Sequence, residues 1–321
     1  MKNKLTAFAL VDLLVVAAVA VVLVSLAVPA LSRARELSKR SVCGVNLAGI
    51  GAAAKVYADS NKEQWMIPPF RQLSIDNYGI DYTNDSATQW DPGDVGEPNE
   101  RRVQTTSGTP LCPNCGSDSL SVTRAYWMLV RSGDTTVKQF ICPSNPDDLA
   151  DPTEVIDLYY DFTGYGNISY GYQVPFGPRD TQPREGADPR KIFAADKGPW
   201  QFPNIFPVWT RAGEDGGSIQ LDEKPWYWRP FNSYNHGGGA NGEGQNVLFA
   251  DGHTSFARIP AVGIDNDNIY TLMTNEWSVS PFNRIYGHTP YEPPTNTPYP
   301  GQNTFGTGAG KYSSTDSLIY P

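Results

Sequence analysis

Residues 13–31 carry no charged side chain, and this run restricts the possible folds more than any other feature. It is close to the roughly 20 apolar residues a helix needs to cross a hydrocarbon core. It exceeds the roughly 7–15-residue apolar stretch of a cleaved secretory signal. No Ala-x-Ala site follows it, because Pro29-Ala30-Leu31-Ser32 leads straight into Arg33-Ala34-Arg35-Glu36. The run therefore predicts one retained membrane-spanning helix. Asp12 stands at its start. A carboxylate in lipid costs roughly 2.5–3.5 kcal/mol on insertion scales, so its presence points to a partner or a function.

Flanking charge does not orient this helix. Lys2 and Lys4 lie on one side, and Arg33, Arg35, Lys39 and Arg40 on the other. Composition decides instead. The body is rich in Gly, Pro, Asn, Asp and aromatic residues and has few Lys, which suits a loop-rich extracytoplasmic β domain. The expectation is a single pass through the inner membrane, with the amino terminus cytoplasmic and the body periplasmic or extracellular. The 321 residues allow one substantial domain or two small ones beyond the anchor. A formal net charge of −9 argues against nucleic acid as the main partner.

The four cysteines are Cys43, Cys112, Cys115 and Cys142. In an exported domain an even count favours disulfides, and sequence leaves the pairing open. Cys112-Pro-Asn-Cys115 also has zinc-knuckle spacing, and Cys43 and Cys142 could complete a four-thiolate zinc site.

Beyond the membrane run the helix is expected to continue to about Ser60. Leu37, Ser41, Val45, Ala48, Ala52 and Val56 recur at a near four-residue step, which suggests an amphipathic, docked half. Pro29 should kink or locally melt the rod. Residues 125–131 read as a short helix or buried segment ended by a Ser-Gly-Asp turn. Residues 138–142, 168–174 and 191–195 read as short strands. Residues 245–250 and 253–258 flank Asp251-Gly252, which predicts a hairpin with a tight primed turn. The preceding Asn235-to-Gly244 stretch is glycine-rich and reads as a flexible loop. The tail from Tyr286 is expected to carry little regular structure.

Phe8-Ala-Leu-Val-Asp12, behind a short basic leader, resembles the amino-terminal methylation motif of type IV prepilins and type II secretion pseudopilins. In the body, Cys43-Gly-Val-Asn-Leu47, Phe140-Ile-Cys-Pro143, Asn235-His-Gly237 and Asn246-Val-Leu-Phe-Ala-Asp-Gly-His253 resemble the large prepilin-like proteins with a His…Asp-Gly signature. The resemblance implies an α+β fold, with a long amino-terminal helix packed on an antiparallel sheet and large loop insertions. It implies a leader at 1–7, a transmembrane helix at 8–31, its amphipathic continuation at 32–61, an extracytoplasmic pilin-like domain at 62–285 and a tail at 286–321. A prepilin peptidase would cut between Ala7 and Phe8. Asp12 would pair with the new amine of a neighbouring pilin subunit. Cys43, Cys142, His236, Asp251, Gly252 and His253 would form the structural motif. Ala7 stands where the family usually has Gly, Asp12 where it has Glu, and the loop between His236 and Asp251 is longer than in the signature.

Other chemistry finds little support in the residues. His236, Glu243, Asp251 and His253 offer metal or acid–base groups, but Asp251-Gly252 is accounted for as turn chemistry. No Gly-x-Ser-x-Gly, His-Glu-x-x-His or phosphate loop occurs, so no enzymatic activity is expected. Asp265-Asn-Asp-Asn268 offers oxygens to calcium, as pseudopilin loops do, but lacks the Gly and distal Glu of an EF-hand loop. A polar turn before Ile269-Tyr270 accounts for it better. The aromatic cluster Trp226-Tyr227-Trp228 is core filling or a stacking surface. The alternative to a filament subunit is an uncleaved membrane-anchored binding module, for example for polysaccharide.

Overall fold

The computed structural model describes residues 10–68, 122–159, 161–163, 165–175, 182–199, 224–237 and 241–270, together with 315, 317, 319 and 320. It has a long amino-terminal helix, α1 (Leu10–Ser60), packed on a five-stranded antiparallel sheet. The strands are β1 (Tyr170–Gln173), β2 (Ile192–Asp196), β3 (Gln245–Phe249), β4 (Thr254–Ala257) and β5 (Ile319–Tyr320). Their spatial order is β4-β3-β2-β1-β5. A second helix, α2 (Thr123–Ser132), packs against β1 and α1.

The helix α1 has two halves with opposite surroundings. Between Leu13 and Leu31 its large apolar side chains are 54% to 68% exposed. This half is long and apolar enough to cross a membrane. Pro29 does not melt the helix, which runs unbroken through it. Proline removes a single backbone bond to the preceding turn. Hydroxyl caps within the same stretch fill further acceptors: Ser25 donates to the Val22 carbonyl at 2.8 Å and Ser32 to the Pro29 carbonyl at 2.9 Å.

The second half docks through a different stripe from the expected one. Leu37, Val45 and Val56 are 52%, 69% and 57% exposed, and Ser41 and Ala52 are exposed too. The buried face is Cys43, Leu47, Ile50, Ala54 and Ala58. Small residues decide this. A Cβ added to Gly51 would lie 2.9 Å from Leu248 Cδ1 of β3, so the helix reaches the sheet only on its glycine–alanine side. The branched residues of the predicted stripe do not fit that gap.

The central strands have no solvent face. All residues of β1 and β2 are buried, which for side chains of alternating direction means cover on both sides of the sheet. The core is aromatic: Trp65 meets Phe193 edge-on at 4.4 Å, and Trp127 and Phe140 each meet Phe162 edge-on. The Tyr126 hydroxyl donates to the Gly171 carbonyl of β1 at 2.8 Å, which fixes α2 on the sheet. Gly133 ends α2 at φ 83°, donating to the Leu129 and Val130 carbonyls, as the Ser-Gly-Asp turn predicts.

Other expectations are corrected by the structure. Residues 138–142 are not a strand; Val137–Phe140 is a 3-10 turn that carries Phe140 inward at the three-residue period. The β3–β4 hairpin is present, but its turn is longer than two residues. Phe249 bonds His253 across the strands at 3.0 Å, and Gly252 donates back to Phe249 at 2.9 Å with φ 94°. This is a three-residue loop closed by a left-handed glycine. His253 closes the loop opposite Phe249, one residue before β4 begins at Thr254. Near the chain end, Ile319–Tyr320 pairs with β1 as edge strand β5 rather than running without regular structure.

Candidate functional site

The polar centre of the body forms where α1 meets the ends of β2 and β3. His236 occupies its middle and has no exposed surface. Of the expected flexible loop, residues 235–237 and 241–244 are described, and its returning limb is held by hydrogen bonds. Glu243 N–H donates to the His236 carbonyl at 2.7 Å, Gly242 N–H donates to the Arg229 carbonyl at 3.0 Å, and the Asn232 amide donates to the Gly242 carbonyl at 3.0 Å. Gly237 at φ 111° requires glycine, since an added Cβ would also lie 2.4 Å from the Asn241 carbonyl oxygen. Gly237, Gly242 and Gly244 thus let backbone segments approach closely, as an added Cβ at each would lie 2.2 to 2.4 Å from a carbonyl oxygen.

Both nitrogens of His236 are engaged. Nδ1 lies 2.8 Å from Glu36 Oε1 on α1, and Nε2 lies 3.2 Å from Asp196 Oδ2 at the end of β2. Burial pushes the imidazole pKa down, but the facing carboxylates of Asp196 and Glu36 outweigh it and hold the pKa above the usual histidine value. An imidazolium donates to both carboxylates, so this geometry favours the charged ring. Asn246 Nδ2 donates to Asp196 Oδ2 at 3.1 Å and Asn235 Nδ2 reaches Asp196 Oδ1 at 3.2 Å. Glu36 also accepts from Ser144 Oγ, at 3.0 Å to each carboxylate oxygen. The ring edge-packs on Phe256 at 5.8 Å.

Cys43 of α1 and Cys142 form a disulfide beside this histidine, with Cα atoms 5.4 Å apart. Cys142 Sγ lies 3.8 Å from His236 Nε2. Of the pairings left open by the sequence, the structure adopts the one joining Cys43 to Cys142. The ligand atoms of Cys43, Cys142, Asp196 and His236 all lie within 4.8 Å of one another. As thiolates this set could hold zinc; as a disulfide the sulfurs are committed to each other. Cys112 and Cys115, and with them the expected four-thiolate arrangement, lie outside the described residues.

A second buried layer adjoins the first. Asn235 Nδ2 donates to the Ser169 carbonyl at 2.7 Å, and Ser169 Oγ donates to Asp148 Oδ2 at 2.6 Å. Lys197 Nζ sits 2.9 Å from both Asp148 oxygens and from the Ile168 carbonyl. Burial pushes Asp148 up and Lys197 down, and their mutual attraction opposes both shifts.

The other expected site residues fall elsewhere. Asp251, Gly252 and His253 do not meet His236. Asp251 Oδ1 accepts from the backbone of His253 at 3.0 Å and lies 2.6 Å from its ring, and the backbone bond leads the causes that lower the carboxyl pKa. His253 stacks on Phe249 at 4.1 Å, and Lys55 of α1 donates to the Asp251 carbonyl. This turn is a second fastening of the helix. In the proposed calcium loop, Asp267 Oδ2 accepts from Ser317 N–H at 2.9 Å and Asn268 Oδ1 from Tyr270 N–H at 3.1 Å. These oxygens close the loop on itself and on the chain end. Ala7 and Phe8 lie outside the described residues. Asp12 is in the first turn of α1.

Sequence reasoning missed Glu36, Asp196, Asp148 and Lys197. One signal was available: Glu36 and Cys43 are two helical turns apart, hence on one face of α1. Asp196 directly follows the strand read at residues 191–195, and nothing local to it signals a buried partner. Comparison with protein-family models, with characterised proteins and with solved structures finds no match to this chain.

Proposed function

We propose that the chain is a prepilin-like structural subunit, cut between Ala7 and Phe8 by a prepilin peptidase and assembled through α1 with like subunits into a pilus or type II secretion pseudopilus. The observation that carries this reading is the division of α1: one half bare and apolar, the other fastened to an antiparallel sheet. A soluble domain has no use for a row of exposed Leu and Val, whereas a membrane anchor or a filament stalk buries it against lipid or neighbouring helices.

The fastenings support the same reading. The disulfide, the Glu36–His236 bond and the Lys55–Asp251 bond all tie α1 to the body. A fully enclosed imidazole with both nitrogens occupied holds its neighbours together and offers nothing to a substrate. Asp12 lies four residues past Phe8, about 6 Å along the helix, within reach of a neighbouring subunit's new amine if it sits in register.

The test is filament incorporation of Asp12→Ala in the native host. The proposal expects a folded, membrane-held protein that is absent from sheared filaments. Incorporation equal to the parent overturns the pairing. A wild-type chain found only as an intact anchored protein favours the displayed binding module instead.

A further inference from the structure

A cavity of about 630 Å³ opens where α1 leaves its apolar run, lined among others by Ser32, Arg33, Trp226, Arg229 and Arg258. Its size falls within the roughly 300–1,000 Å³ typical of small-molecule sites. We propose that this cavity is a docking site for the headgroup of an anionic phospholipid, and that it seats the body on the membrane surface. The proposal rests on the reading of residues 13–31 as a membrane span.

Three observations carry it. Position comes first. The apolar run ends at Leu31 and the cavity wall begins at Ser32. From Ser32 to Arg40, which also lines the cavity, α1 rises about 12 Å. A headgroup layer is only about 5–8 Å deep on each side of the hydrocarbon core. The Ser32–Arg33 mouth therefore lies at headgroup level and the Arg40 end above it.

Charge comes second. Four arginines, Arg33, Arg40, Arg229 and Arg258, line the cavity against two carboxylates, Glu36 and Glu243. Both carboxylates are occupied: Glu36 by His236 and Ser144, Glu243 by Arg40. Arg40 is spent on Glu243 and on the Phe256 ring. Arg229 donates to the Asn241 side chain at 3.0 Å, and it and Arg33 act on Glu243 only from behind the directly paired Arg40, which leaves four cations against two carboxylates. Neither Arg33 nor Arg258 has an ion-pair partner among the described residues. The excess is cationic and faces the layer where phosphates lie, in a protein whose net charge is −9.

Aromatic exposure comes third. The 3-10 segment Pro225–Phe231 buries Trp228 and Phe231 but leaves Trp226 and Tyr227 53% and 55% exposed. Lys224 lies 4.8 Å over the Trp226 ring. Exposed Trp and Tyr beside cations, at the depth where a helix exits lipid, match the aromatic belt of membrane proteins.

The test uses the full chain in vesicles. Protease protection first establishes that the helix is inserted. Tryptophan quenching by a phospholipid with a headgroup nitroxide is then compared between the parent and Trp226→Phe, in phosphatidylcholine with and without phosphatidylglycerol. The proposal expects Trp226-dependent quenching that requires phosphatidylglycerol. Arg229→Gln with Arg258→Gln should lower the docked-to-undocked ratio on the order of 30-fold, about fivefold per arginine, at unchanged melting temperature. Inserted protein without Trp226-dependent quenching, or with equal quenching in neutral vesicles, overturns the docking alone. A chain that does not insert overturns the membrane span and this docking with it.

Discussion

Glu36, five residues beyond the apolar half of α1, is bonded to His236 at 2.8 Å across 200 residues of sequence. The long helix and the sheet are thus joined through a buried imidazole, with Asp196 on its other nitrogen at 3.2 Å.

This junction should make stability depend on pH. The groups facing His236 are Glu36 from α1, Asp196 from β2, Asn246 from β3 and the Cys43–Cys142 disulfide. Arg40 and the Tyr170 hydroxyl lie one layer out, against Phe256 and Asn46 respectively. The folded-state pKa of His236 is raised above its ordinary value. Its stabilisation is therefore fully present below the unfolded pKa of about 6.5 and is lost as pH rises through the folded value. Thermal melts should show this loss in the parent. His236→Gln should lower stability by about 1.5–3 kcal/mol at acid pH and flatten the dependence. A parent whose melting temperature rises with pH over that window would contradict the charged-imidazole assignment.

The disulfide closes a loop with a sequence separation of 99. A loop of that length restricts the unfolded chain by up to about 4.7 kcal/mol. Replacing both Cys43 and Cys142 by Ser should lower the unfolding free energy by an amount of this order, read as a fall in the denaturant midpoint on chemical unfolding. An unchanged midpoint would mean that the bridge does not constrain the unfolded state.

Gly51 sets how closely α1 approaches β3. A Cβ there meets Leu248 at 2.9 Å, so Gly51→Val should overpack the interface and cost about 1–3 kcal/mol. Pairing it with Leu248→Ala should recover part of the loss. A double variant no better than the single one would show that the strain lies elsewhere.

Much of this arrangement could be read along the chain, and the exceptions have physical causes. The apolar half of α1, α2, β2 and the β3–β4 hairpin follow local patterns: charge-free length, periodicity, and a Gly in the turn. The docked face of α1 does not, because what selects it is clearance. Apolar pattern pointed to Val45 and Val56, while the sheet accepts only the side presenting Gly51 and Ala54. Residues 138–142 misread as a strand because Phe140 and Cys142 alternate in polarity, while Phe140 is brought inward by a 3-10 turn. His236 was visible as a motif residue, but its partners were not. Glu36 and Asp196 come from distant segments, and nothing local to either announces a buried imidazole. The glycines around it suggested looseness because composition cannot separate a glycine that frees the chain from one that lets backbones touch.

The most direct measurement of the central claim is the amino-terminal residue of the protein isolated from its native membrane, by intact mass and terminal sequencing. A mature chain beginning at Phe8 is the predicted result, with methylation of its amine as the sharper form. A chain that still begins at Met1 would contradict processing, and with it assembly through a new amine opposite Asp12.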